Sequence, residues 1–119
     1  MQDASTIVER YFAAWNEPDG DARRELIAEA WSEDAEYRDP RLSGDGHGGI
    51  DAMVALVHDT YPGYRFKQVG PIDSHNDRLR FAWQLIGPDG GPPAFSGVDF
   101  GVVSTDGRLR SITGFFNPE

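Results

Sequence analysis

The 119-residue sequence contains no cysteine, which excludes disulfide bonds, thiolate metal sites and cysteine nucleophiles. Long apolar runs are also absent, so nothing in the sequence predicts a membrane-spanning helix or the apolar stretch of a signal peptide. Basic residues are scarce, because 11 Lys and Arg face 20 Asp and Glu, giving a formal net charge of -9. That charge repels the phosphate backbone of nucleic acid and the anionic face of a membrane. We therefore expect a cytoplasmic protein that binds neither.

The first half of the sequence has the apolar spacing of helices. With 39% apolar and 12% aromatic residues, the chain is predicted to form one domain over residues 1–119. Apolar stripes predict a first helix over residues 4–16, a second that starts after a breaker cluster with Asp21 as its cap and includes Trp31, and a third over residues 50–61 with Asp51 in its first turn. A short strand is expected at residues 35–39, with Tyr37 and Asp39 on one face and Arg38 on the other, followed by a glycine-rich loop at 41–49.

The second half changes to the two-residue period of strands. Five strands are predicted, at residues 64–69, 72–75, 78–86, 94–104 and 108–116, with turn signals between them. These connections are too short for crossover helices, so the sheet is expected to be mostly antiparallel. Helices followed by strands indicate an α+β domain in which the helices pack on one face of a curved sheet.

Asp99 is the residue whose surroundings most suggest chemistry. Alternation along its strand places it on one face with Gly97, Gly101 and apolar residues, in a strand that we expect to be covered on both sides. A carboxylate in such surroundings costs desolvation energy unless it is paired or protonated, so its pKa should rise. The glycines leave space beside it for a ligand, although a carboxylate that simply reaches solvent near a turn would fit the pattern equally well.

Other polar residues give weaker signals when taken singly. Tyr11 lies in the apolar stripe of the first helix and needs a hydrogen-bond partner there, while Asp39 before Pro40 is an ordinary turn former. The histidines at positions 47, 58 and 75 lack metal-ligand spacing and are expected at the surface or at helix ends, and Ser96 lacks the glycine of a nucleophile elbow. We predict no metal and no cofactor.

Basic residues occupy alternate strand positions, as on a solvated or interface face: Arg65, Lys67, Arg78, Arg80, Arg108 and Arg110. One apolar face and one charged face are typical of a homodimer built sheet to sheet, and a sheet that faces solvent would give nearly the same pattern.

Five segments in this order resemble the nuclear transport factor 2-like superfamily, and within it the SnoaL-like and ketosteroid isomerase-like proteins. They are residues 10–16 (RYFAAWN), 32–40 (SEDAEYRDP), 48–50 (GGI), 97–99 (GVD) and 106–109 (DGRL). The resemblance implies a cone-shaped sheet with the three helices on its concave face and a pocket for a hydrophobic small molecule. It does not select a function, because the same fold hosts several chemistries and non-catalytic binders.

The resemblance to ketosteroid isomerases implies roles for three residues. Asp39 looks like the general base, and Tyr11 and Asp99 look like the two donors to the substrate oxygen, with Asp99 held protonated as in the known example of that enzyme. In SnoaL-like polyketide cyclases, the carboxylate that matches Asp99 is instead the acid and base. About one additional helical turn between Asn16 and Asp39, compared with the isomerases, could shift Asp39 relative to Tyr11.

Candidate pocket walls are Trp15, Phe66, Trp83 and Phe116, each of which is also typical of ordinary core. The leading hypothesis is an isomerase or cyclase that acts on a hydrophobic carbonyl compound. The alternative is a non-catalytic ligand-binding or dimerisation domain in which Tyr11 and Asp99 only satisfy one another. Epoxide hydrolysis ranks last, since it needs an arginine beside the carboxylate and alternation turns Arg38 away from Asp39.

Overall fold

A computed structural model describes residues 3–118 and contains three helices packed against one curved six-stranded sheet. The helices are α1 (Ala4–Trp15), α2 (Gly20–Ala30) and α3 (Gly46–Thr60), and the strands are β1 (Trp31–Arg38), β2 (Ser43–Asp45), β3 (Arg65–His75), β4 (Arg78–Ile86), β5 (Phe95–Val103) and β6 (Leu109–Phe116). The strand order is β2-β1-β6-β5-β4-β3, and every pair is antiparallel except β1 with β6. The predicted α+β class and mostly antiparallel sheet are confirmed. No helix in the described part of the chain is long and apolar enough to cross a membrane.

The second and third helices start at other positions than the prediction gave. Asp19, rather than Asp21, caps α2, because its carboxylate accepts the backbone N–H of Ala22 at 2.9 Å. The third helix starts at Gly46, so the predicted loop contains β2 and the first turn of that helix, and Asp51 lies in the second turn. There its carboxylate accepts a hydrogen bond from the buried Arg23 guanidinium at 2.7 Å, which ties α2 to α3.

Trp31 belongs to β1. Its helical spacing had predicted that it belongs to the second helix, and this prediction was wrong. The α2 helix ends at Ala30, and Trp31 adopts extended dihedrals and pairs with Leu109 on β6. Burial of its side chain explains the error, because an apolar residue next to a helix continues the apolar stripe whichever structure it adopts. The strand predicted at residues 35–39 is therefore longer at its start and ends at Arg38.

The Gly70-Pro71 pair does not end a strand. Residues 65–75 form the single strand β3, whose pairing with β4 shifts register between Val69 and Asp73. A positive φ of 73° at Gly70 and the missing N–H of Pro71 are accommodated as a bulge rather than a turn. The two strands predicted here are thus one bent strand.

The two faces of β5 have different surroundings. Gly97, Asp99, Gly101 and Val103 are buried on the inner face under the helices, as the alternation predicted. The outer face is not covered in this chain, which corrects the expectation of cover on both sides, since Phe100 on β5 is 40% exposed. A homodimer through this face stays a prediction.

Candidate active site

Asp99 is buried on the inner face of β5 and accepts two hydrogen bonds from neighbouring elements. The Tyr11 hydroxyl of α1 donates to its Oδ2 at 2.6 Å, and the Trp83 indole N–H of β4 donates to its Oδ1 at 3.0 Å. Only 3% of Asp99 is exposed, and no basic side chain within residues 3–118 forms an ion pair with it. The carboxyl is therefore held by dipoles in an apolar environment, without a counter-ion.

This environment raises the pKa of Asp99 to about 7. Burial is the main cause, because desolvation disfavours the charged form, and the charge of Asp39 adds to it. The hydrogen bonds from Tyr11 and Trp83 act in the opposite direction, since they stabilise the carboxylate. At neutral pH both the acid and the carboxylate forms of Asp99 are consequently populated.

Tyr11 has one hydroxyl proton, and that proton is committed to Asp99. Burial and the neighbouring Asp99 carboxyl raise the pKa of the Tyr11 phenol well above its usual value, so it stays protonated. When Asp99 is also protonated, one of the two protons is used within the pair and the other can point to a ligand. The pair thus offers one donor at a time, whereas the ketosteroid isomerase analogy implies two.

Asp39 follows the end of β1 and is held by a tight turn. Its Oδ1 accepts the backbone N–H groups of Arg41 and Leu42 at 2.7 and 2.8 Å, and its Oδ2 accepts the Tyr37 hydroxyl at 2.6 Å. The N–H of Asp39 in turn donates to the carbonyl oxygen of Leu42 at 3.0 Å. These bonds fix the carboxyl beside Tyr37, on the face that alternation predicted for both residues.

Gly114 on β6 separates the two carboxyls. It pairs with Asp99 on one side, and its neighbour Thr113 pairs with Arg38, the last residue of β1, on the other. A Cβ atom on Gly114 would lie 2.9 Å from Oδ1 of Asp99, 3.1 Å from Cβ of Asp39 and 3.3 Å from the hydroxyl oxygen of Tyr37. The missing side chain is therefore what lets both acids approach the same space.

Both carboxyls line a cavity of about 160 Å³ between the helices and the inner face of the sheet. Its other lining residues are largely apolar or aromatic and include all four predicted walls: Trp15, Phe66, Trp83 and Phe116. Edge-to-face contacts join Phe66 to Trp83 and Trp83 to Phe116, with centroids 5.6 and 5.7 Å apart. Tyr11, Asp39 and Asp99, the three predicted catalytic residues, thus lie around one hollow.

Three lining residues have roles that the sequence analysis missed. Trp83 was a predicted wall but also donates to Asp99, and Tyr37 donates to Asp39, a contact that their shared strand face could have suggested. Arg41 lines the cavity with its guanidinium 4.7 Å from the Phe95 ring centroid. The loop prediction for residues 41–49 gave no direction for this side chain.

The histidines lie outside this cavity lining. His47 and His58, in the first and last turns of α3, bond through Nε2 to the backbone oxygens of Trp31 and Trp15, each at 2.8 Å, while His75 ends β3. Over residues 3–118, no group of three or more histidine or acidic side chains is arranged to hold a metal ion.

A helix-covered curved sheet with a hollow at its inner face is the fold of nuclear transport factor 2-like proteins. The model of the SnoaL-like domain matches residues 8–112, and the chain belongs to this family.

Several solved structures are similar to the chain. A proposed isomerase of the SnoaL-like family from Agrobacterium tumefaciens is 41% identical, with a TM-score of 0.90, over 96% of this chain and 97% of that one. A proposed polyketide cyclase from Sinorhizobium meliloti is 20% identical, with a TM-score of 0.71 and coverage of 92% and 93%. A nuclear transport factor 2-like protein of unknown function from Exiguobacterium is 19% identical, with a TM-score of 0.71 and coverage of 95% and 99%. The search of curated proteins found no match.

Proposed function

We propose that this protein is an enzyme that transfers a proton on a hydrophobic carbonyl compound, as an isomerase or a cyclase does. The observation that carries the proposal is a buried carboxyl without a counter-ion, Asp99, on the wall of an apolar cavity that a second carboxyl, Asp39, also lines. A carboxyl with a purely structural role is rarely buried without a counter-ion. Acid–base catalysis, in contrast, needs a group whose pKa lies near the working pH, and burial supplies such a pKa. The 41% identical relative, a proposed isomerase, supports the same class of chemistry.

Asp39 and Asp99 have different catalytic roles in this proposal. Asp39 takes the proton from the carbon next to the carbonyl, which leaves an enolate, and later returns the proton to carbon. Protonated Asp99, held by Tyr11 and Trp83, donates a hydrogen bond to the oxygen on which negative charge develops. The charge on Asp39 raises the pKa of Asp99, and this favours the neutral acid that the donor role requires.

The cavity walls contribute by excluding water. A donor aimed at a developing oxyanion is worth roughly 3 to 4 kcal/mol where water cannot compete. The aromatic lining of Trp15, Phe66 and Phe116 suits a hydrophobic ring system and supplies that dry environment.

The cyclase analogy reverses the role of Asp99, and the pH dependence of the rate separates the two assignments. As an acid, Asp99 loses activity when pH rises through its pKa of about 7. As a base, it gains activity over the same range. We propose the first assignment because the nearby charge of Asp39 favours the protonated form of Asp99.

The proposal is tested by hydrogen–deuterium exchange at the carbon next to the ketone of indanone, followed by NMR in heavy water. Asp39→Asn should slow the enzyme-dependent exchange about 10³-fold, since a positioned general base contributes roughly 10²–10⁴. Asp73→Asn, an exposed change on β3, is the matched control and should keep the wild-type rate. Equal rates for Asp39→Asn and wild type would remove Asp39 as the base.

A non-catalytic binding domain is the second candidate, favoured by the completeness of the hydrogen bonding. Among the described residues, no buried side-chain nitrogen or oxygen lacks a partner, and Tyr11 with Trp83 satisfies Asp99 as an acceptor. This candidate predicts that Asp99→Asn changes stability while wild type shows no turnover.

We also propose that two copies pair through the outer face of the sheet, where Phe100 and Phe115 are 40% and 59% exposed. Exposed aromatic side chains on one face are typical of an interface. Phe115→Lys should then sediment as a monomer at concentrations where wild type sediments as a dimer. A monomeric wild type would contradict the homodimer.

A further inference from the structure

Arg41 is a basic residue of the cavity lining and is exposed to solvent, so it lies at the mouth of the cavity. Its guanidinium carbon lies 4.7 Å from the centroid of Phe95 and 5.6 Å from that of Phe116, so the group is stacked on two rings of the cavity wall. Within residues 3–118, no carboxylate lies at ion-pair distance from Arg41, although Asp39 is two positions away in the chain. The stacking therefore orients the guanidinium without neutralising it.

A stacked guanidinium keeps its N–H donors free in the plane of the group. Arginine presents five such donors in a fork that matches a carboxylate, and it cannot give up its charge. A neutral apolar ligand that covered Arg41 would leave these donors without acceptors, which is unfavourable. An anionic group on the ligand would instead pair with the fork through two hydrogen bonds.

The positive charge of Arg41 does not serve to attract anionic ligands over a long distance. The chain as a whole carries a formal charge of -9 and repels anions from a distance. An anionic ligand must gain its affinity by direct contact inside the mouth. Arg41 is the basic side chain among the residues that line the cavity, and it can make that contact.

The strand β5 sets the spacing between this cation and the proposed acid. Phe95 and Asp99 lie four residues apart on the same strand, so both side chains are on the inner face. At the rise of an extended strand their Cα atoms are about 13 Å apart. Arg41 lies over the Phe95 end, while Asp99 and Tyr11, 3% and 2% exposed, lie at the buried end of the hollow.

We propose that the ligand of this site carries an anionic group, best a carboxylate, at the end opposite to the carbonyl on which Asp99 acts, and that Arg41 binds this group. The inference rests on the proposed proton-transfer function and adds the substrate class: a hydrophobic keto acid with its two functional groups well separated. Arg41 is then a specificity-determining residue that selects the acid over a neutral molecule of the same shape.

The test compares benzoylheptanoate, which has a phenyl ketone and a carboxylate at opposite ends of its chain, with its primary amide. Dissociation constants are measured by calorimetry for wild type, Arg41→Gln and Arg41→Lys. Arg38→Gln is the matched control, because Arg38 is exposed, three residues away, and paired with Asp45 of β2. Wild type and Arg38→Gln should bind the acid about tenfold more tightly than the amide, as one charge-assisted pair predicts. The preference should disappear in Arg41→Gln and survive in part in Arg41→Lys.

An equal affinity for acid and amide in wild type, a preference that Arg41→Gln leaves unchanged, or no binding of the acid would each overturn the inference. Deuterium exchange next to the ketone of the amide distinguishes this failure from failure of the proposed function. If wild type exchanges the amide and Asp39→Asn does not, proton transfer stands without an anion site. If the acid preference depends on Arg41 but neither compound is exchanged, the anion site stands and the catalytic role does not.

Discussion

Asp99 and Asp39 have the same type of side chain and lie on either side of Gly114, but their surroundings differ. Asp99 lies in the middle of β5, buried, with donors from α1 and β4 that are far away in sequence. Asp39 lies half-buried just beyond β1, with every donor supplied by residues 37–42. A local turn holds one carboxyl and the tertiary fold holds the other. The difference shows how one fold gives two identical groups distinct surroundings.

The largest stability effect should come from removing the buried member of the pair. Unfolded Asp99 loses its proton near its ordinary value of about 4, whereas the folded pKa is about 7. The folded state therefore binds more protons between these values, and its stability falls as pH rises through this range and is constant above it. The loss reaches up to about 4 kcal/mol, at about 1.4 kcal/mol per unit.

Urea unfolding of wild type and Asp99→Asn from pH 4.5 to pH 8, roughly the range between the two pKa values, measures this effect. Wild type should lose stability relative to the variant as pH rises. Asp106→Asn is the control: hydrogen bonds from the Ser104 hydroxyl and from Arg108 lower the pKa of Asp106 to about 2, so its contribution is lost only in stronger acid. Parallel curves for wild type and Asp99→Asn would mean that Asp99 titrates as an ordinary carboxyl.

An intermediate effect is expected from filling the space between the two acids. Gly114→Ala puts a methyl group 2.9 Å from Oδ1 of Asp99, which cannot move away cheaply because Tyr11 and Trp83 hold the carboxyl. Thermal or urea unfolding should show a loss of about 1–3 kcal/mol, as for other overpacked sites. Gly48→Ala in α3 meets no atom within 4 Å and should be neutral or stabilising by up to about 1 kcal/mol. Similar stabilities for the two variants would contradict the crowded geometry.

The smallest effect should come from removing a single donor from Asp99. Tyr11→Phe deletes the hydrogen bond that lowers the pKa of Asp99, so that pKa should rise further. The exchange rate should fall about tenfold in acid, where Asp99 is protonated in both proteins, because Tyr11 no longer holds the Asp99 carboxyl in place. The decline of the exchange rate with rising pH should also move to higher pH. Tyr37→Phe is the matched control because the Tyr37 hydroxyl donates to Asp39, and a shift of equal size there would show that Tyr11 has no special link to Asp99.

The fold class could be predicted from sequence because periodicity depends on local burial. Helical spacing located all three helices, and alternation placed Asp99 on the inner face and Tyr37 with Asp39 on one face. The same reasoning failed at Trp31, because a single buried residue at the end of a helix fits the spacing of the helix and also the start of a strand. It also failed at Gly70-Pro71, where a turn signal marks a bulge.

The site was only partly predictable. The residue types could be named, but the bond between Tyr11 and Asp99 joins positions 88 apart in the chain, and no spacing rule gives that distance. The donor role of Trp83 and the crowding at Gly114 depend on strand pairing across the sheet. Arg41 lies in an irregular segment, where periodicity gives no direction for the side chain.

We expect Asp99 to keep its proton close to neutral pH, because its carboxyl is sheltered from water. Carbon-13 NMR of the side-chain carboxyls, with the Asp99 signal assigned by its absence from Asp99→Asn, measures this directly over a pH titration. The expected midpoint for Asp99 is about 7. A midpoint of about 4, the ordinary value for an aspartate, would contradict it.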